Sequence, residues 1–211
     1  MADVYARIAE LGVVPVVAID DADRALDLAD ALTAGGLAVA EITFRTAAGQ
    51  AAIERIARQR PDCLVGAGTI LTVGQLKAAR DAGAAFGVAP GLNPKVVAEA
   101  VRTGFAFSPG VMTPTDIEAA LDMGLKVLKF FPAEAAGGLK MLEALAGPYK
   151  HTGVKFVPTG GISPGNFIEY LASDVVLAVG GTWVARQEDI AAGRWETIQA
   201  NCRRIAETRK P

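Results

Sequence analysis

Lys129 stands in an otherwise apolar run, Leu125-Lys126-Val127-Leu128-Lys129-Phe130-Phe131. Side chains alternate along an extended strand, so Val127, Lys129 and Phe131 share one face while Lys126 and Leu128 share the other. Lysine is rarely buried without a partner. An ammonium held among apolar groups loses hydration, which favours the neutral amine, a nucleophile able to form a Schiff base with a ketone. The competing readings are a structural ion pair and a stem that reaches past the strand end to water. Lys126, at the start of the run on the opposite parity, reads as a solvated rim residue.

Glu41, Thr43 and Arg45 share one parity of a second run. A carboxylate and a guanidinium placed this way either pair with each other or serve a ligand. In the second case Arg45 grips a substrate carboxylate with its planar fork and Glu41 moves protons. Glu134 is the rival acid–base group, but glutamates are common at helix starts for dipole reasons alone, and Glu41 ranks above it. Gly160-Gly161 and Gly180-Gly181-Thr182 are a third kind of signal. Glycines let backbone N–H groups approach an anion closely, so two such pairs favour a phosphorylated ligand over two tight turns.

Positioning these groups requires strands. Short β-branched or apolar runs recur at residues 13–19, 38–44, 64–69, 85–89, 105–108, 125–131, 154–159 and 175–179. Between them lie Ala-rich segments with helical spacing, such as Ala25, Leu28, Ala29 and Leu32, or Ile117, Ala120, Leu121 and Gly124. Thr72 with Gln75 forms a capping-box pattern, and Pro94, Pro114 and Pro164 each follow a residue suited to a helix start. Gly35, Gly83, Gly104 and Gly124 fall where helices should end. Alternating strand and helix implies parallel strands with right-handed crossovers. Eight such units predict a (β/α)8 TIM barrel, an α/β fold, as one domain over residues 1–211, with a short extra N-terminal helix over residues 4–11. A doubly wound open sheet is the alternative, but no Gly-x-Gly-x-x-Gly follows the first strand. In a barrel, chemistry collects where strands end. Glu41, Arg45, Thr69, Pro90, Lys129, Thr159 and both glycine pairs fall there.

Composition narrows the partners. With 211 residues and 51% hydrophobic content, the chain can bury one sizeable core. Lys plus Arg number 21 against 23 for Asp plus Glu, a net charge of −2 that argues against nucleic acid or an anionic membrane surface. The chain carries no secretory-leader pattern and no apolar run of bilayer length, so a cytoplasmic protein is expected. Cys63 and Cys202 lie far apart without metal or redox spacing and read as small buried hydrophobes. His151 is the one histidine, which excludes a multi-histidine metal centre; it reads as an exposed loop residue. Asp20, Asp21 and Asp23 read as a solvated helix start. Trp183 and Trp195 read as packing residues of a C-terminal helical region.

Together the motifs resemble one family. Glu41-Ile42-Thr43-Phe44-Arg45-Thr46, Gly66-Ala67-Gly68-Thr69, Lys129-Phe130-Phe131-Pro132-Ala133-Glu134, Pro158-Thr159-Gly160-Gly161-Ile162-Ser163 and Gly180-Gly181-Thr182-Trp183 are similar, in order and over nearly the whole chain, to the 2-keto-3-deoxy-6-phosphogluconate (KDPG) aldolases. These are grouped with the 4-hydroxy-2-oxoglutarate (KHG) aldolases in a class I lyase family. The resemblance implies that Lys129 is the Schiff-base lysine and Glu41 the general acid–base. It implies that Arg45 and Thr69 hold the pyruvate-derived carboxylate and keto region, that Pro90 and Phe131 line the pocket, and that Thr159 lies beside the substrate chain. Gly160, Gly161, Gly181 and Thr182 would take the phosphate. The implied partners are a phosphorylated keto-deoxy sugar acid and pyruvate, with no metal, no cofactor and a homotrimeric assembly.

The implied reaction is reversible cleavage of KDPG to pyruvate and D-glyceraldehyde 3-phosphate. Turnover of the galactonate epimer or of unphosphorylated KHG is the near alternative. A phosphate-binding epimerase and an inactive scaffold are remoter ones. Three features depart from the family pattern: Thr182 where serine is common, Ala89 where serine is common, and a longer stretch at residues 150–153.

Overall fold

Most of the β-branched runs become strands because they are short and largely buried, as parallel strands sandwiched inside a layer of helices must be. The computed structural model describes residues 2–208. Its strands are β1 (Val13–Val17), β2 (Val39–Thr43), β3 (Leu64–Gly68), β4 (Phe86–Val88), β5 (Ala106–Ser108), β6 (Gly110–Val111), β7 (Val127–Phe130), β8 (Lys155–Pro158) and β9 (Val179–Gly181). Every pairing between them is parallel. Six strands run in the order β5-β4-β3-β2-β1-β9 and three in the order β6-β7-β8. β5 and β6 are halves of one stave broken at Pro109, which has no N–H to give a ladder. Its carbonyl still accepts from the Lys129 N–H at 2.9 Å. Bridges from Phe156 to Val176 and from Thr159 to Gly180 close the circle, giving the barrel of eight staves.

The helices follow the expected punctuation. α1 (Ala2–Leu11) precedes the barrel, and α2 (Ala25–Ala34), α3 (Gly49–Gln59), α4 (Val73–Asp81), α5 (Pro94–Arg102), α6 (Pro114–Asp122) and α7 (Gly138–Ala146) connect successive staves. α8 (Phe167–Leu171), α9 (Gln187–Ala191) and α10 (Trp195–Thr208) complete the layer. Thr72 and Gln75 form the expected reciprocal cap of α4, and Thr113 with Asp116 forms a second one at α6. Gly83, Gly104 and Gly124 take left-handed φ of 89°, 66° and 83° just past their helices.

Gly35 ends α2 as its C-cap, as expected, with a right-handed φ of −82°. It is glycine because a Cβ there would lie 2.4 Å from that of Cys202 on α10; the left-handed residue is Gly36. Three expectations need correction. Pro164 sits in a turn, and α8 begins only at Phe167. The last strand is not at residues 175–179 but at Val179–Gly181, because β1 fixes the register by pairing Val13, Val14 and Pro15 with Val179, Gly180 and Gly181. Trp183 lies in a bend between β9 and α9 rather than in a helix, while Trp195 opens α10.

Inside the barrel, neighbours in register share a face, so Glu41, Gly66, Phe86 and Ala106 form one inward row. Phe86 fills the space that Gly66 leaves: a Cβ on Gly66 would lie 2.4 Å from its ring. From α1, Tyr5 places its hydroxyl 3.1 Å from Ser108 Oγ, and burial pushes its pKa up to about 12, which keeps it neutral. Gly66→Ala should therefore overpack the interior and destabilise the fold by about 1–3 kcal/mol, read as a lower thermal midpoint.

Candidate active site

β2 and β7 bring opposite charges together inside the barrel. Lys129 Nζ lies 3.2 Å from Glu41 Oε1, with the two side chains only 8% and 5% exposed. Either charge alone would carry a heavy desolvation penalty there; together they compensate. The place for Glu41 is made by Gly68 on β3, where a Cβ would lie 2.3 Å from Glu41 Oε1. The ring of Phe131 covers the amine, its centroid 5.7 Å from Nζ. Lys126 is exposed and donates to the Thr152 carbonyl at 2.9 Å, so the strand-parity argument separates the two lysines correctly.

Thr43, one step along the same face from Glu41, is buried. Its hydroxyl donates to the Val17 carbonyl at 3.0 Å and accepts from Arg45 Nε at 3.2 Å. Arg45 itself is exposed at the barrel mouth. Thr46 stitches the same segment to the loop after β1, donating to the Ile19 carbonyl at 2.5 Å. Thr69, just past β3, has φ of 60°, an uncommon conformation for a β-branched residue and one that recurs at working sites.

The opposite wall is built from backbone. Gly160 and Gly161 are successive left-handed residues with φ of 97° and 84°, which only glycine adopts without strain. Their carbonyls accept from the Glu134 N–H and from Asn166 Nδ2. Among the described residues, the N–H group of Gly161 and the hydroxyl of Thr182 have no protein partner. Glu134 is not a rival in the cavity. It is exposed, packs behind Gly161 and accepts from the Tyr170 hydroxyl, whose pKa burial raises.

These groups line a cavity of about 240 Å³. Glu41, Arg45, Thr69, Pro90, Lys129, Phe131, Thr159, Gly160, Gly161 and Thr182 all face it. Gly181 does not: it lies in β9, and a Cβ there would meet the Trp183 indole N–H at 2.6 Å. Alternation instead turns Gly180 to the cavity, beside the Thr159 hydroxyl. Val16, Thr43 and Ile162 complete the wall beside Gly180, and these three were given no role from sequence. The parity of Thr43 with Glu41 was the available signal. A wider, more open cleft of about 660 Å³ adjoins the mouth through Val16, Arg45 and Thr182.

The remaining candidates stand apart. His151 is exposed in the 3-10 turn Gly147–Thr152. Within the stretch at residues 150–153, Lys150 pairs with Asp174 at 3.0 Å. Cys63 and Cys202 are buried, and desolvation pushes their thiols up to about 11 and about 12. Asp21 accepts from the Asp23 N–H at 2.9 Å, and Asp20 accepts from Gln187 at 2.6 Å. Among the described residues no group of three or more His, Cys, Asp or Glu could hold a metal ion, and no helix is long and apolar enough to cross a membrane.

A buried amine beside a carboxylate, with a cation at one end and a free N–H and hydroxyl at the other, suits a keto acid that is anionic at both ends. Residues 4–201 match the family model described as KDPG and KHG aldolase. The chain belongs to that family. It is 47% identical over 192 residues to a 2-dehydro-3-deoxy-phosphogluconate aldolase of Haemophilus influenzae, covering 91% of this chain and 90% of that one. The crystal structure of the KDPG aldolase of Legionella pneumophila, with pyruvate captured as a covalent carbinolamine, is 39% identical with a TM-score of 0.91 over 96% of this chain and 97% of that one. The KDPG aldolase of Zymomonas mobilis with 3-phosphoglycerate is 40% identical, with a TM-score of 0.88 over 97% and 95%.

For a member of this family, Gly68→Ala is a direct probe of the buried pair. The new methyl should push the Glu41 carboxylate away from Lys129 and slow borohydride-dependent capture of pyruvate by about a hundredfold, with little change in far-UV circular dichroism.

Proposed function

We propose that this chain is a class I aldolase that reversibly cleaves KDPG to pyruvate and D-glyceraldehyde 3-phosphate. The observation that carries the reading is the Lys129–Glu41 pair, 3.2 Å apart inside a cavity with Arg45 at its mouth and the Gly160–Gly161 turn on its far wall. Passing a proton from Nζ to Glu41 frees the amine, which attacks the C2 ketone to give a carbinolamine. Glu41 returns the proton to the departing hydroxyl, and water leaves as the protonated imine forms. That cation accepts the electron pair of the C3–C4 bond as Glu41, directly or through water, removes the C4 hydroxyl proton. Glyceraldehyde 3-phosphate departs. The enamine left on Lys129 is protonated at C3 and hydrolysed to pyruvate, which restores the amine.

In this reading Arg45 and Thr69 receive the carboxylate, Thr159 lies beside the sugar chain, and Pro90 and Phe131 wall the reacting carbons. The N–H groups of Gly160 and Gly161 take the phosphate with the Thr182 hydroxyl, whose extra methyl narrows that end relative to serine. Gly180, facing the cavity, replaces Gly181 as the glycine that leaves room for the ligand. The reading extends to one barrel domain over residues 1–211, acting as a cytoplasmic homotrimer. KHG is a second substrate on the same site, favoured by the family description and by a lysine, glutamate and arginine that do not depend on phosphate. The galactonate epimer would need the same groups.

Borohydride reduction with pyruvate, followed by peptide mass analysis, should leave one adduct on the peptide containing Lys129. An adduct on Lys126, or none on folded protein, would overturn the reading. Lys129→Met should abolish the adduct and lower cleavage by more than about a thousandfold. Glu41→Gln should lower kcat by about 10²–10⁴-fold, the usual worth of a positioned acid–base.

A further inference from the structure

We infer that Thr43 is the positioning residue for substrate-carboxylate binding, holding the Arg45 guanidinium in the orientation that receives it; the inference rests on the aldolase reading above. A threonine hydroxyl has one proton to donate. Thr43 donates its proton to the Val17 carbonyl at 3.0 Å, so towards Arg45 it can only accept. Arg45 Nε takes that acceptor at 3.2 Å. With Nε engaged, the two terminal nitrogens form the edge left for a ligand, the geometry a planar fork offers a carboxylate. Among the described residues those terminal nitrogens have no protein partner, and this hydrogen bond is the side chain's one polar tether.

The tether is rigid where the arginine is not. Thr43 is 1% exposed at the end of β2 and faces the same cavity as Glu41 and Lys129, whereas Arg45 is exposed. The acceptor of the Thr43 proton, Val17, ends β1, so the guanidinium is referenced to two staves of the barrel rather than to its own loop. A flexible arginine loses rotamer freedom when it binds; one already held loses less, and the difference appears as affinity. Thr43 touches neither the amine nor the reacting carbons in this scheme, so its loss should act on binding more than on turnover.

The test is steady-state cleavage of KDPG together with pyruvate-dependent borohydride capture. Thr43→Val should raise KM, and the pyruvate concentration giving half-maximal capture, by about tenfold while kcat changes less than about twofold. Thr43→Ser should restore wild-type values. In an Arg45→Ala background, Thr43→Val should have no further effect on KM. An unchanged KM in Thr43→Val, or an equal rise with and without Arg45, would overturn the inference. Thr43→Ala is measured in parallel so that a valine variant that fails to fold leaves the comparison intact. Wild-type protein that neither cleaves KDPG nor captures pyruvate would instead overturn the aldolase reading itself.

Discussion

An amine and a carboxylate facing each other inside a barrel must stay matched, and the architecture is arranged around that constraint. Removing one partner would leave the other charge buried and uncompensated, at a cost of about 3–5 kcal/mol. Lys129 and Glu41 come from staves on different sides of the barrel, so their separation is set by barrel closure rather than by any local loop. The interrupted stave of β5 and β6, and the bridges that join β8 to β9, are therefore part of the same device. Closing the circle brings the Lys129 amine to 3.2 Å from the Glu41 carboxylate.

Space for the polar groups is made by leaving side chains out. On β3, the inward positions Gly66 and Gly68 give their volume to Phe86 and to Glu41 respectively. Gly180 does the same for the Thr159 hydroxyl, and Gly110 lets the loop bearing Pro90 approach to a distance at which any Cβ would collide with the Pro90 carbonyl. These glycines are inward-facing positions where a neighbour has claimed the volume. A barrel of this size would otherwise fill its interior with branched aliphatic residues.

Much of this was legible in the chain. Period-two alternation separated Lys129 from Lys126 and placed Glu41 on the face of Arg45, because side-chain parity is a property of the strand alone. Helix ends were readable where a single residue carries the signal, as at Thr72 and Gly83. Features decided by distant partners were not. Val175 and Val176 look more like strand than Gly180 and Gly181, yet β1 pairs with the glycines. Gly35 reads as a helix end and is one, but its reason for being glycine is Cys202, far along the chain. Thr43 was passed over because a threonine between a glutamate and an arginine reads as filler until its two hydrogen bonds are seen.

The two ends of the cavity differ in what evolution can do to them. At the mouth, the charge is carried by one exposed side chain, Arg45, which a single codon change can erase or replace. At the far wall the polar surface is the main chain of Gly160 and Gly161, where every residue type but proline offers the same N–H and most cannot hold the required φ. Heritable variation can therefore reach that wall only through what surrounds it, such as Thr182, or Glu134 packed behind the turn. One end of the cavity is open to reinvention residue by residue, while the other changes only by adjusting its frame.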